Sequence, residues 1–186
     1  TTADANTAVG YFALKVNTGA SNTALGSNSL LANTTGIENV GVGSASLDAN
    51  TTGDYNVAVG ANSLSANTTA DNNTGIGVAA LRDNTTASCN TAVGRKALCL
   101  NTTGCLNTAV GAGALKTQTT GDNNVAIGRE ALGVLTTADN NTSVGMDSMQ
   151  ANTTGASNVA VGKGALFANT TAAENVAVGK DSMSAT

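Results

Sequence analysis

Short apolar stretches recur along the 186-residue chain at a fixed interval. In Asn56-Val57-Ala58-Val59-Gly60, β-branched residues stand at alternate positions around a small one, the two-residue period of a β-strand. The same pattern, Asn-Thr/Val-small-aliphatic-Gly, opens at Asn6, Asn22, Asn39, Asn56, Asn73, Asn90, Asn107, Asn124, Asn141, Asn158 and Asn175, eleven copies in all. From Asn22 onward the interval is always 17. The step from Asn6 to Asn22 is one position shorter, because Asn17-Thr18-Gly19 stands where the usual run is Asn-Thr-Thr-Gly. The full unit reads N-T/V-A/G/S-V/I/L-G-x-x-A/S-L/M-x-x-N-T-T-G/A-x-x, and its positions are numbered 1 to 17 below.

A unit of this length is too short for a helix pair or a propeller blade, which take roughly 34 to 45 residues. It suits one coil of a parallel solenoid in which successive coils stack at the strand spacing of about 4.8 Å. The expected fold is therefore all-β, a parallel β-solenoid (β-roll) of about eleven 17-residue coils. Residues 1–186 are expected to form a single repeat array without separate caps or linkers, in a rod roughly 50 Å long.

Alternation requires that Val57 and Val59 face one way and Ala58 the other. The larger residues at positions 2, 4 and 9 are assigned to the interior, with the small third position on an outer face open to another chain; a narrow coil would instead put the small residues inside. The glycine at position 5 and the Asn-Thr-Thr-Gly run mark two corners. Few apolar residues per coil favour a flattened two-layer roll, although 17 is also near the length of a three-sided coil.

In-register stacking places like above like. The position-1 asparagines form a column expected to carry a ladder of side-chain amide hydrogen bonds. Position 12 adds a second column through Asn17, Asn33, Asn50, Asn67, Asn84, Asn101, Asn152 and Asn169, with Gln118, Leu135 and Thr186 as exceptions. If Thr1 of one copy followed Thr186 of another, the motif would recur at its usual interval, so a head-to-tail filament and a cut in a longer repeat array are equal readings of the junction.

Composition changes the picture only by subtraction. The chain has no Pro, Trp or His and only 2% aromatic residues, so the core must be thin and aliphatic. Eight basic and twelve acidic residues, spread singly, leave no footprint for nucleic acid. No apolar run approaches the roughly 20 residues of a membrane span, so no membrane insertion is expected. The chain opens on Thr1 rather than Met, as a processed product or a segment would.

The runs Asn56-Val57-Ala58-Val59-Gly60 and Asn90-Thr91-Ala92-Val93-Gly94-Arg95-Lys96-Ala97-Leu98 resemble the head repeats of trimeric autotransporter adhesins and the repeats of bacterial and phage tail-fibre proteins. That resemblance implies a parallel β-roll, usually trimeric, displayed on the cell or virion surface to span distance and touch surfaces. Adhesin head repeats are typically shorter than this unit.

Val59-Gly60-Ala61-Asn62-Ser63-Leu64 also resembles the hexapeptide unit of left-handed β-helix acyltransferases, but those enzymes use a histidine. Without histidine, Ser/His/Asp and Cys/His nucleophile systems and imidazole metal sites are excluded, and the chain is expected to be no enzyme and to need no cofactor. Asp54, Asp71, Asp122 and Asp139, with Glu38 and Glu174 one position later, suggest a solvated turn with local hydrogen bonds rather than a weak calcium stripe.

Cys89 and Cys105 lie one position short of a full repeat apart, one coil up and one residue across, so they are candidates for a disulfide or for two inconsequential free thiols, with Cys99 left over. Asn-Thr-Thr is a glycosylation acceptor pattern at Asn33, Asn50, Asn67, Asn84, Asn101, Asn152 and Asn169, although acceptors about 5 Å apart would crowd. O-linked sugar on the threonine columns is an equal alternative.

The expected function is structural: a subunit or segment of an extracellular, cell-surface or virion-surface fibre that stacks on copies of itself, head to tail, with lateral or trimeric association as further options. The alternative is a tail-fibre or adhesin segment that contacts host surfaces and their glycans. Ice binding through ranks of threonine ranks lower, because Thr34 and Thr35 are adjacent and Thr alternates freely with Val at position 2.

Overall fold

The computed structural model describes residues 4–185. Its eleven three-residue strands run from β1 (Thr7–Val9) and β2 (Thr23–Leu25) through β3 (Val40–Val42), β4 (Val57–Val59), β5 (Thr74–Ile76), β6 (Thr91–Val93), β7 (Thr108–Val110), β8 (Val125–Ile127), β9 (Thr142–Val144) and β10 (Val159–Val161) to β11 (Val176–Val178). They form one sheet in sequence order, and every adjacent pair is parallel. Partners are one unit apart, as in Val57↔Thr74, while the short first unit gives Thr7↔Thr23. The expected parallel β-solenoid is the fold observed, with no helix among the described residues.

Only positions 2 to 4 are strand; the rest of each coil is turn, so a single sheet is backed by a layer of stacked turns. The turns are hydrogen-bonded between coils much as the strands are. Leu64 N donates to Ala80 O at 3.0 Å, Asn62 N to Ser44 O at 3.0 Å, and Thr51 N to Thr68 O at 2.8 Å. Three positions outside the strand, 7, 9 and 17, take left-handed backbone with non-glycine residues, as at Asn62 (φ 55), Leu64 (φ 51) and Asn72 (φ 59). Such a conformation is unfavourable for an isolated residue by roughly 1–2 kcal/mol and is held here by the coils above and below.

The side-chain assignment differs from the expectation in one respect. Position 9 is inside, with Leu30, Leu47, Leu64, Leu81 and Leu98 fully buried. Position 3 is also inside, with Ala24, Ala58, Ala92, Ala109 and Ala126 at 0% exposure. Positions 2 and 4 therefore point outward, opposite to the assignment of the larger residues to the core. The sheet and the turn layer stand too close for larger inward groups. A Cβ placed on Gly41 would meet Ser29 Oγ at 2.5 Å, and one on Gly75 would meet Ser63 Oγ at 2.6 Å.

Both asparagine columns are interior, and they bond differently. At position 1 the side-chain oxygen accepts the backbone N–H of the next coil's asparagine, as in Asn73 N to Asn56 Oδ1 at 3.0 Å, while Asn56 Nδ2 donates to Ala70 O at 2.8 Å in its own coil. At position 12 the link is amide to amide: Asn50 to Asn33 at 2.7 Å, Asn67 to Asn50 at 2.9 Å, and Asn101 to Asn84 at 2.9 Å.

The second ladder stops where the sequence departs from Asn. Gln118 turns its amide to Gly121 O, and Asn101 Oδ1 is left buried without a donor. A buried acceptor without a partner is destabilising by about 1–3 kcal/mol. Gln118→Asn is therefore expected to raise unfolding stability by about 1 kcal/mol in urea titrations, and no change would mean that Asn101 Oδ1 is hydrated.

Candidate functional site

Because positions 2 and 4 face out, the sheet presents an open apolar surface rather than a core wall. Position 4 is a continuous aliphatic column in which Leu25, Ile76, Ile127 and Val161 are exposed. Position 2 beside it mixes Thr23, Thr74, Thr91 and Thr108 with Val40 and Val57. Eleven strands at about 4.8 Å, each roughly 10 Å long, make a face near 500 Å² in outline, half of it the aliphatic column and half the mixed Thr/Val column.

Charge is arranged on either side of that face. All eight basic residues, Lys15, Arg82, Arg95, Lys96, Lys116, Arg129, Lys163 and Lys180, fall at positions 6, 7 or 10, just beyond the glycine corner. Five carboxylates share that edge: Asp48, Asp83, Glu130, Asp147 and Asp181. The other edge, positions 16 and 17, holds Asp4, Glu38, Asp54, Asp71, Asp122, Asp139 and Glu174 and no cation. The charges look scattered along the chain, and wrapping the sequence on its 17-residue period is what sorts them.

On the acidic edge the aspartates bond between coils, not locally as expected. Asp54 Oδ1 accepts from Ile37 N at 2.8 Å, Asp71 Oδ1 from Asp54 N at 2.8 Å, and Asp139 Oδ1 from Asp122 N at 2.8 Å. Each of these aspartates therefore ties its coil to the preceding one. On the basic edge several charges are paired, Arg82 with Asp83 at 2.7 Å, Arg129 with Asp147 at 3.0 Å and Lys180 with Asp181 at 3.6 Å. The Asp83 carboxylate pushes the Arg82 guanidinium further up from its already high value, and burial pushes the Asp48 carboxyl up.

The position-1 asparagines Asn6, Asn22, Asn39, Asn56, Asn73, Asn90, Asn107, Asn124, Asn141, Asn158 and Asn175 form a bonded structural column, with no reactive group presented to solvent. The acceptor asparagines Asn33, Asn50, Asn67, Asn84, Asn101 and Asn152 are completely buried, and Asn169 is 4% exposed. Their amides are turned into the coil, Asn84 Nδ2 donating to Ala87 O at 2.8 Å, so a glycan on them is incompatible with the folded coil. The adjacent position-14 threonines, such as Thr52, Thr69, Thr86 and Thr103, are the exposed ones.

The candidate Cys89–Cys105 bridge is not formed. Both are free thiols, Cys89 exposed on left-handed backbone (φ 62) and Cys105 with its Sγ 3.5 Å from Thr103 O, turned within its own coil. Cys99 is buried, which pushes its thiol pKa up and keeps it protonated. The junction residues Thr1 to Ala3 and Thr186, and with them the end-to-end continuation, lie outside the described residues. No group of three or more potential metal ligands occurs among the described residues.

No family model, curated protein or solved structure matches the chain.

Proposed function

We propose that this chain is a structural subunit or segment of an extracellular fibre, built coil on coil and extended head to tail by copies of itself. The observation that carries this reading is the translational sameness of the coils. Each coil receives on one side the bonds it offers on the other, through strand, turn, asparagine and aspartate alike. A copy stacked in register would continue those bonds without a new kind of contact, the condition for an open heterologous assembly.

The outward aliphatic face favours lateral association in addition. Its two edges differ in sign, so two rods related by rotation about their long axis set the acidic edge of one against the basic edge of the other. The second reading, an adhesin-like or tail-fibre segment of finite length, single or three-fold, draws on this same face. Ice binding has a weaker basis, since the outward threonines of β5, β6 and β7 are interrupted by valines elsewhere; thermal hysteresis of the purified protein tests it.

The deciding experiment is electron microscopy of the native material. A thin fibre with an axial repeat of roughly 50 Å supports head-to-tail stacking. Discrete short rods, especially three-fold ones, exclude the filament and leave the adhesin-like reading.

A further inference from the structure

Position 7 of the turn layer borders a cavity in coil 7. At position 7 nine of the eleven coils carry a side chain on left-handed backbone, among them Asn62, Ala79, Lys96 and Glu130, and coil 10 carries Gly164 (φ 64). Coil 7 has Gly113 (φ 71) there, beside a notch of about 190 Å³ lined by Arg95, Lys96, Ala112, Gly113, Lys116 and Glu130. The volume is below the roughly 300 Å³ of an ordinary small-molecule pocket, so it suits one charged group rather than a whole ligand.

The lining is strongly biased in charge for a protein of net charge −4. Three cations converge on the notch. Arg95 and Lys96 are exposed and have no ion-pair partner among the described residues. Lys116 is held only loosely, its Nζ 3.8 Å from Glu130 Oε2. The Glu130 carboxylate itself lies where a Gly113 side chain would be, so the notch already accommodates one oxyanion, supplied from the next coil.

We propose that this notch is a binding subsite for an oxyanion, the carboxylate or sulfate of an acidic polysaccharide lying along the rod. Two unpaired cations remain after Glu130 is counted, and an incoming anion can displace that flexible side chain. A polysaccharide fits better than a nucleic acid, because none of Tyr11, Phe12, Tyr55 and Phe167 lies in these coils to stack a base. One pyranose residue of an extended glycan is also about as long as one coil is high. Arg82 and Arg129, in the flanking coils, lie along the same edge but are each paired with an aspartate, so the unpaired cations are those of the notch.

The test uses the full chain, titrated calorimetrically with an oligogalacturonate, with a neutral maltooligosaccharide of equal length, and with sodium sulfate. Saturable oligogalacturonate binding that weakens as salt rises is expected, with none for the neutral sugar. The R95Q/K96Q double variant alters two exposed side chains, and its affinity should fall at least about tenfold with an unchanged melting temperature. Gly113→Ala should give a similar loss, because its Cβ would take the place of the Glu130 carboxylate that an incoming oxyanion would fill, and Ala79 shows that position 7 accepts alanine. Glu130→Gln should strengthen binding severalfold.

Undiminished binding by both R95Q/K96Q and Gly113→Ala would overturn the site. Sulfate binding without oligogalacturonate binding, or equal affinity for an oligonucleotide, would overturn its assignment to a polysaccharide. The outcome is independent of the fibre reading, which microscopy decides separately.

Discussion

Gly94→Ala is expected to destabilise the solenoid by about 4 kcal/mol. Gly94 has φ 134, a region that is essentially glycine-only, and a Cβ there would meet Gly111 O at 2.6 Å and Gly111 C at 2.7 Å. Both obstacles are backbone of the next coil, and that backbone is locked by its own inter-coil bonds, so it cannot give way. The same contact repeats at Gly60 against Gly77 and at Gly128 against Gly145. Urea unfolding should show the loss, with the array separating into two weakly coupled blocks around coil 6, as expected where stability is a sum of neighbour terms. Gly113→Ala is the control: there the obstacle is the flexible carboxylate of Glu130, and stability should change by less than about 1 kcal/mol. Equal losses for the two variants would refute the corner argument.

Asn56→Ala should be the second largest of these losses, about 3 kcal/mol, and should exceed Asn67→Ala, at about 1.5 kcal/mol. Removing the Asn56 side chain takes away the acceptor of Asn73 N, a buried backbone donor with no alternative partner. Removing Asn67 takes one rung from an amide ladder, while Asn84 Nδ2 keeps its bond to Ala87 O and Ala70 O keeps the one from Asn56. Paired thermal denaturation of the two variants decides the order. The chain itself already shows the asymmetry, since position 1 is Asn in all eleven coils whereas Gln118 and Leu135 stand at position 12. A column whose oxygens accept the backbone N–H of the next coil tolerates no exception; a column linked from coil to coil only through side-chain amides tolerates interruption and leaves an orphaned oxygen at Asn101.

These two expectations separate what was legible in the one-dimensional pattern from what was not. The constant interval dictates stacked parallel coils, because no larger unit repeats and only in-register stacking puts each Asn, Gly and Leu above its like. The interior leucines, the glycine corner and the two asparagine columns follow from that translation alone.

Which side of the strand faces inward does not follow. Alternation divides Val57 and Val59 from Ala58, but parity is silent on which set is buried. That choice depends on the gap between the sheet and the turn layer, filled by Leu64, two asparagines and the small side chains of positions 3 and 8, a distance no local window contains. The narrowness of the gap turned the aliphatic column outward and left exposed what size and hydrophobicity alone assign to the core. The same dependence decided the acceptor asparagines, whose Asn-Thr-Thr pattern reads as surface but whose amides the coil needs inside. Cys89 and Cys105, close by count, are free thiols at positions 17 and 16 of successive coils. Sequence alone determined the translation from coil to coil; the tertiary structure decided the orientation within a coil, because orientation is set by contacts across the roll and translation by contacts along it.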